Sequence, residues 1–205
     1  MILKFSNLEY WIEDSDSAKY LLSQVSPAQA RRWSDYTKLA VDIALKASRE
    51  TKIDHVISAS RHGEISTSAS LIKMIQKKEV LSPMLFSQSV HNSAVGVYSI
   101  QTNCLAGTTA ISAGADTFFS GLVSAFCFLQ SQPKANVLFI AADTKIPAEY
   151  AKDLDEDNFS YALAMVVRSD NCDTGTKINL RDIRTQDKTP QAVHFLKRVI
   201  DVQKN

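Results

Sequence analysis

Thr108-Thr109-Ala110-Ile111-Ser112-Ala113-Gly114-Ala115-Asp116 is the stretch on which the reading of the fold turns. A short β-branched run, Thr108 to Ser112, reads as a strand and passes through Ala113-Gly114 directly into a helix, Asp116 to Gln130. That helix carries Phe118, Leu122, Phe126 and Leu129 on one face, with Phe119 and Val123 beside them, so the pattern predicts a central helix buried nearly all round. Val137 to Ala142 follows as a continuous apolar run, which is how a strand covered on both faces of a sheet reads.

Working outward, Leu39, Ile43 and Ala47 recur every four positions and mark an amphipathic helix over Asp35 to Ser48. His55 to Ala59 is a strand. Ser66 to Lys78 reads as a helix ending in Lys77-Lys78-Glu79, after which Ser82-Pro83 breaks the chain, and Val90 to Thr102 is a further helix. Tyr161 to Arg168 and Lys177 to Ile183 read as two strands joined by a polar turn, and Val193, Leu196 and Ile200 mark a terminal helix. Strands interleaved with helices, then two strands in succession, predict an α/β layered domain with a mixed sheet. With 205 residues, 45% hydrophobic and 22% charged, one domain over 1–205 is the expectation.

The charge balance removes several function classes. Lys plus Arg number 23 and Asp plus Glu 22, so no field of one sign draws the chain to nucleic acid or to an anionic membrane. The apolar runs are strand-sized, far below the roughly 20 residues a spanning helix needs, and Met1 to Tyr10 carries Lys4, Asn7 and Glu9 where a signal peptide would be apolar. A cytoplasmic protein is expected. Cys104, Cys127 and Cys172 are widely spaced and odd in number, which speaks against a disulfide framework and a thiolate metal site, so each is expected to be an inert, buried small hydrophobe. His55, His62, His91 and His194 are too scattered for a metal centre, and no metal or cofactor is implied. Asp153 to Asp157 has Asn158 where a calcium loop needs its turn glycine, and reads as a solvated acidic loop.

Nucleotide-binding, zinc-protease and serine-hydrolase signatures are absent. What remains is Ser60-Arg61-His62-Gly63-Glu64 directly after a strand, where an α/β fold places functional loops, and Ser89-Val90-His91-Asn92 ahead of a helix it could cap. Arg61, His62 and Glu64 could equally hydrogen-bond one another and tie the loop down.

Three segments together resemble a known family: Ser60 to Glu64, the run Ser82-Pro83-Met84-Leu85-Phe86-Ser87-Gln88-Ser89-Val90-His91-Asn92, and Ser112 to Phe118. They are similar to the short β-ketoacyl-synthase-like proteins that keep only the N-terminal half of a ketosynthase, as found in type II polyketide systems of the aryl polyene kind. The similarity spans about Trp33 to Arg168. It implies a thiolase-like half, a mixed five-stranded sheet with helices on both faces. In an active ketosynthase the strand-to-helix junction carries the nucleophilic Cys; here the aligned residue is Ala115, and the family's second-half histidines lie outside the resemblance.

The resemblance therefore implies a non-catalytic subunit like a chain-length factor, paired with a full-length ketosynthase and served by acyl carrier protein through that complex. Ketosynthases join their sheets edge to edge, and the matching edge strand is expected to be Val137 to Ala142. The segment matching Ser82 to Ser99 lies at the interface, which makes Phe86, Ser89, His91, Asn92 and Val95 candidates for packing there or for walling the partner's acyl tunnel. Two other readings stay open: a small acyl-thioester enzyme using His62 or His91 with a nearby Ser, and a scaffold binding acidic carrier protein through Arg31, Arg32 and Lys38.

Overall fold

The structure, a computed structural model, describes residues 1–13, 20, 22–184 and 187–203. Along the chain run β1 (Ile2–Ile12), α1 (Pro27–Ala30), α2 (Asp35–Ala47), β2 (His55–Ala59), α3 (Ile65–Gln76), α4 (Pro83–Gln88), α5 (Ser93–Thr102) and β3 (Gly107–Ile111). The second half adds α6 (Thr117–Ser131), β4 (Val137–Asp143), α7 (Ala148–Ala151), β5 (Tyr161–Ser169), β6 (Thr176–Asn179) and α8 (Gln191–Gln203). One mixed sheet has the order β3-β2-β4-β5-β1-β6. Strands β2, β3 and β4 are parallel, and β5, β1 and β6 continue the sheet antiparallel.

Six strands replace the expected five, because Ile2–Ile12 is itself a long strand. Its alternation is broken by an irregularity in the pairing between Ser6 and Glu9, with Asn7 at φ 53°, so no clean period of two runs through it. A larger correction concerns the edge. Val137–Asp143 is buried at every residue and sits between β2 and β5, so it is a central strand; the exposed edge on this side is β3. An all-apolar strand is what two covered faces demand, and an edge strand has no such need.

The two faces of the sheet are separate cores. Leu138, Ile140 and Ala142 of β4, with Ala162, Ala164 and Val166 of β5, meet α2 and α5. Val137, Phe139 and Ala141, with Leu163, Met165 and Val167, meet α6 and α8. Helix α6 is less enclosed than its sequence suggests: Phe118, Leu122, Ala125 and Leu129 are buried, Phe119, Val123 and Phe126 only partly, and Cys127 is exposed. Its buried face lies tight on the sheet, since a Cβ at Gly121 would stand 2.7 Å from the Phe139 ring and 2.9 Å from Ala59.

Other boundaries moved for local reasons. Ser82-Pro83 opens a helix instead of only interrupting one: Ser82 accepts the Leu85 N–H and Pro83 occupies the first turn, where its missing N–H costs nothing. The expected strand Lys177–Ile183 is cut to Thr176–Asn179, because Asn179 caps a 3-10 turn over Leu180–Asp182. Among the described residues no helix is long and apolar enough to cross a membrane.

Candidate functional site

The C-terminal ends of β2, β3 and β4 bring together the loop Ser60 to Glu64, the junction Ser112 to Asp116 and Asp143. Asp143 is the hub. It is 3% exposed and accepts four hydrogen bonds: Ser60 Oγ (2.7 Å) and His62 N (2.9 Å) on Oδ1, Arg61 N (3.1 Å) and the Tyr161 hydroxyl (2.9 Å) on Oδ2. Burial, then the charge of Asp143, holds the Tyr161 hydroxyl well above its ordinary pKa, so it remains a donor.

Each residue of the loop is engaged in turn. Arg61 reaches Asp155 (2.5 Å) and Glu156 (2.9 Å), and His62 Nε2 meets Glu156 Oε1 at 2.9 Å. The acidic loop is therefore docked and not merely solvated, and the Arg61 bond and charge hold Asp155 below the ordinary carboxylate range. Gly63 adopts φ 52°, and a Cβ there would come within 2.9 Å of the His91 ring. His91 Nε2 in turn lies 2.8 Å from the Ser60 carbonyl, so it ties the loop to the start of α5. Asn92 occupies the N-cap position of α5 but makes no side-chain cap bond.

Glu64 does not join its neighbours Arg61 and His62. Its carboxylate is 4% exposed and takes Ser34 (2.5 Å), Thr37 (2.7 Å) and Ser93 (3.2 Å) on Oε1 and Thr67 (2.7 Å) on Oε2. Those hydroxyls stand at the starts of α2, α3 and α5, so three helix N-termini supply the positive potential that an ion-pair partner would otherwise provide.

The junction is exposed. Ser112 to Ala115 face solvent, Gly114 has φ 58° with open space around it, and Ala115 lies in a 3-10 turn ahead of α6. The first turn of α6 is closed from the other end of the chain. Gln191, 7% exposed, accepts the Phe119 N–H (3.1 Å) and donates to Asp116 (3.1 Å), while the Arg184 guanidinium lies 4.3 Å from the centre of the Phe119 ring. Among the described residues no histidine ring bonds a Ser or Cys side chain; His55 meets Thr109 (2.9 Å) and stacks on Phe128. No group of His, Cys, Asp and Glu among them forms a metal cage. The three cysteines are free, and none is buried.

The interface candidates separate. Phe86 is 65% exposed, Asn92 is exposed and Ser89 and His91 are half-buried, but Val95 is 2% exposed inside the α2/α5 core and offers nothing to a neighbour. Arg31 and Arg32 are exposed, and Lys38 pairs with Asp35 on its own helix. No short motif marks a wider feature. From Val80 to Ala115 the chain has 36 residues without one Asp, Glu, Lys or Arg, where its average composition would place about eight. Seven of the thirteen exposed large hydrophobics among the described residues fall there, including Leu105 at 99% and Ile100 at 75%. Strand β3, paired with β2 on one side and open on the other, lies near the end of that run. A charge count along the sequence would have found it.

This layered half, with its parallel strands ending at a strand-to-helix junction, is a thiolase-like fold. The chain belongs to the beta-ketoacyl synthase N-terminal domain family, which matches residues 4–203. It is similar to a chain in the structure of the ketosynthase ApeO in complex with its chain length factor ApeC from Xenorhabdus doucetiae, with 25% identity and a TM-score of 0.82, over 96% of this chain and 90% of that one. The ishigamide ketosynthase/chain length factor (14% identity, TM-score 0.59) and a beta-ketoacyl synthase from Burkholderia phymatum (10%, 0.55) share the fold. Those matches cover 74% and 76% of this chain but only 48% and 46% of the longer chains. A sequence search against curated proteins returns no match. The chain is thus ketosynthase-like.

Proposed function

We propose that this chain is a non-catalytic subunit of the chain-length-factor kind, which pairs with a full-length ketosynthase and shapes its acyl tunnel in aryl polyene-type biosynthesis, the acyl groups arriving on carrier protein through the complex. The observation that carries the reading is the unpaired edge of β3 at the end of a 36-residue run without charge. Interface cores are depleted in charge, and an exposed edge without Lys or Pro is what a monomer avoids.

The junction supports the silent half of the proposal. Ala115 has no nucleophile, and the Phe119 N–H, one of the donors that would stabilise an anion at this helix end, is already taken by Gln191. Installing Cys at position 115 is therefore expected to give no condensing activity on malonyl and acyl thioesters.

Co-expression with the ketosynthases of its host, followed by size exclusion and mass measurement, is expected to give a stable one-to-one complex. A folded chain that ignores every one of them would defeat the proposal. Phe86→Ala separates the two roles open to this surface. If Phe86 walls the tunnel, the complex persists and its products lengthen, each added buried methylene contributing ~0.8 kcal/mol. Unchanged lengths with an intact complex would remove Phe86 from the tunnel.

A further inference from the structure

We infer that the groove between β6 and α8 binds a medium-chain monocarboxylate, its apolar chain laid between strand and helix and its carboxylate held by Arg198 and Lys177. The groove has a volume of about 280 Å³, and none of its lining residues belongs to the loop Ser60 to Glu64 or to the uncharged run. Its wall is apolar: Ile178, Ile183 and Phe195 are 3%, 4% and 7% exposed, and Val199 is partly buried beside them. The charged groups that line it are Lys177, Arg198 and Asp182, and His194 is the remaining titratable one, with Nδ1 3.7 Å from Asp187. Arg198 Nη1 donates to the Asp182 carbonyl (2.5 Å), a neutral acceptor, so the bond holds the guanidinium in place without cancelling its charge. Lys177 stands 3.6 Å from Asp170 in an exposed pair, the kind that a competing carboxylate displaces at little cost.

Size and lining together choose the occupant. Ligand pockets usually run to roughly 300–1,000 Å³, so this groove has room for one small molecule and none for a folded partner. An added peptide strand would find little to hold, because β6 is four residues long and ends in the 3-10 turn over Leu180–Asp182. In antiparallel pairing alternate residues turn their backbone groups away from the neighbour, so only half of that short strand faces outward from β1. What the groove offers is an apolar wall for a chain and two exposed cations against one exposed carboxylate for a negative head. A guanidinium receives such a head through two parallel N–H bonds. An occupant braces α8 against the sheet, and α8 begins at Gln191, the residue that closes the first turn of α6.

Amide chemical-shift titration of the full chain with octanoate tests the inference. Saturable shifts confined to β6, the 3-10 turn and α8 are expected, with a Kd of about 0.1–5 mM. Hexanoate, two methylenes shorter, should bind about 15-fold more weakly, at about fourfold per buried methylene. The alcohol 1-octanol has the same chain without the charge and should bind at least ~10-fold more weakly than octanoate. Arg198→Gln, at an exposed side chain, should weaken octanoate ~10-fold while far-UV circular dichroism stays the same, and Arg198→Lys should recover part of the loss. Three results would each overturn the inference: no saturable shift at several times the expected Kd, 1-octanol binding as tightly as octanoate, or Arg198→Gln binding octanoate like the parent. Shifts scattered over the surface, with no cluster at β6 and α8, would do the same.

Discussion

Between Ser60 and Glu64 every polar side chain ends on a partner inside the chain, whereas from Val80 to Ala115 the chain carries no charge, exposes seven large hydrophobics and includes an open strand edge. The loop has the residues of a reactive site and uses them as architecture: one carboxylate, Asp143, organises it, and another, Glu64, gathers three helix starts. The uncharged run presents no charged side chain, and it is where the sheet leaves a strand edge open. A residue's capacity for reaction says little about function once its bonding groups are all satisfied, while exposed groups that no monomer needs point to a partner.

Breaking the loop should cost the fold most. Asp143→Ala leaves two hydroxyls and two backbone N–H groups without their acceptor and is expected to lower stability by about 3–5 kcal/mol, read from denaturant midpoints. Asp143→Asn, which keeps acceptor capacity, should lose less. If Asp143→Ala unfolds like the parent, the loop is not held as described. Next in size is the uncharged surface. Thr108→Lys with Ala110→Lys should leave stability within about 0.5 kcal/mol of the parent yet weaken the ketosynthase complex at least ~100-fold. A matched loss of stability and binding would erase the contrast.

Gln191→Leu lies between the two regions, removing the bond to the Phe119 N–H and the one to Asp116; about 1–2 kcal/mol is expected, the scale of a lost helix cap. The smallest effect is at low pH. Asp155 is held below its ordinary range by the Arg61 bond and charge, so its contribution is present above the unfolded pKa of ~3.9 and fades as pH falls through the lowered folded value. Asp155→Asn should therefore flatten the stability profile only below about pH 4.

The sequence carried the layered class, because β4 and the β3-to-α6 junction declare themselves through apolar continuity and an Ala-Gly turn. It did not carry the sheet order. Whether Val137–Asp143 is an edge or a centre depends on which strands lie beside it. Strand β5 pairs with it, and the 11-residue β1 comes from the opposite end of the chain to extend the sheet beyond β5. The site divided in the same way. The loop Ser60 to Glu64 stood out by composition, but Asp143 and Glu156 join it from 83 and 94 positions away, and Gln191 closes the junction from 72, with no local pattern to mark them. Val95 read as a surface candidate because a helix shows its two faces only once α2 is packed against it.

Strand β1 has a consequence measured in time. Its register sets Leu3 opposite Ser169 and Ile178, so β1 pairs there with two strands made more than 160 residues later. At translation rates of about 5–20 residues per second, roughly 8 to 30 seconds pass between the emergence of β1 and that of β5. During that interval Leu3 and Phe5, both destined for the core, have no sheet to join.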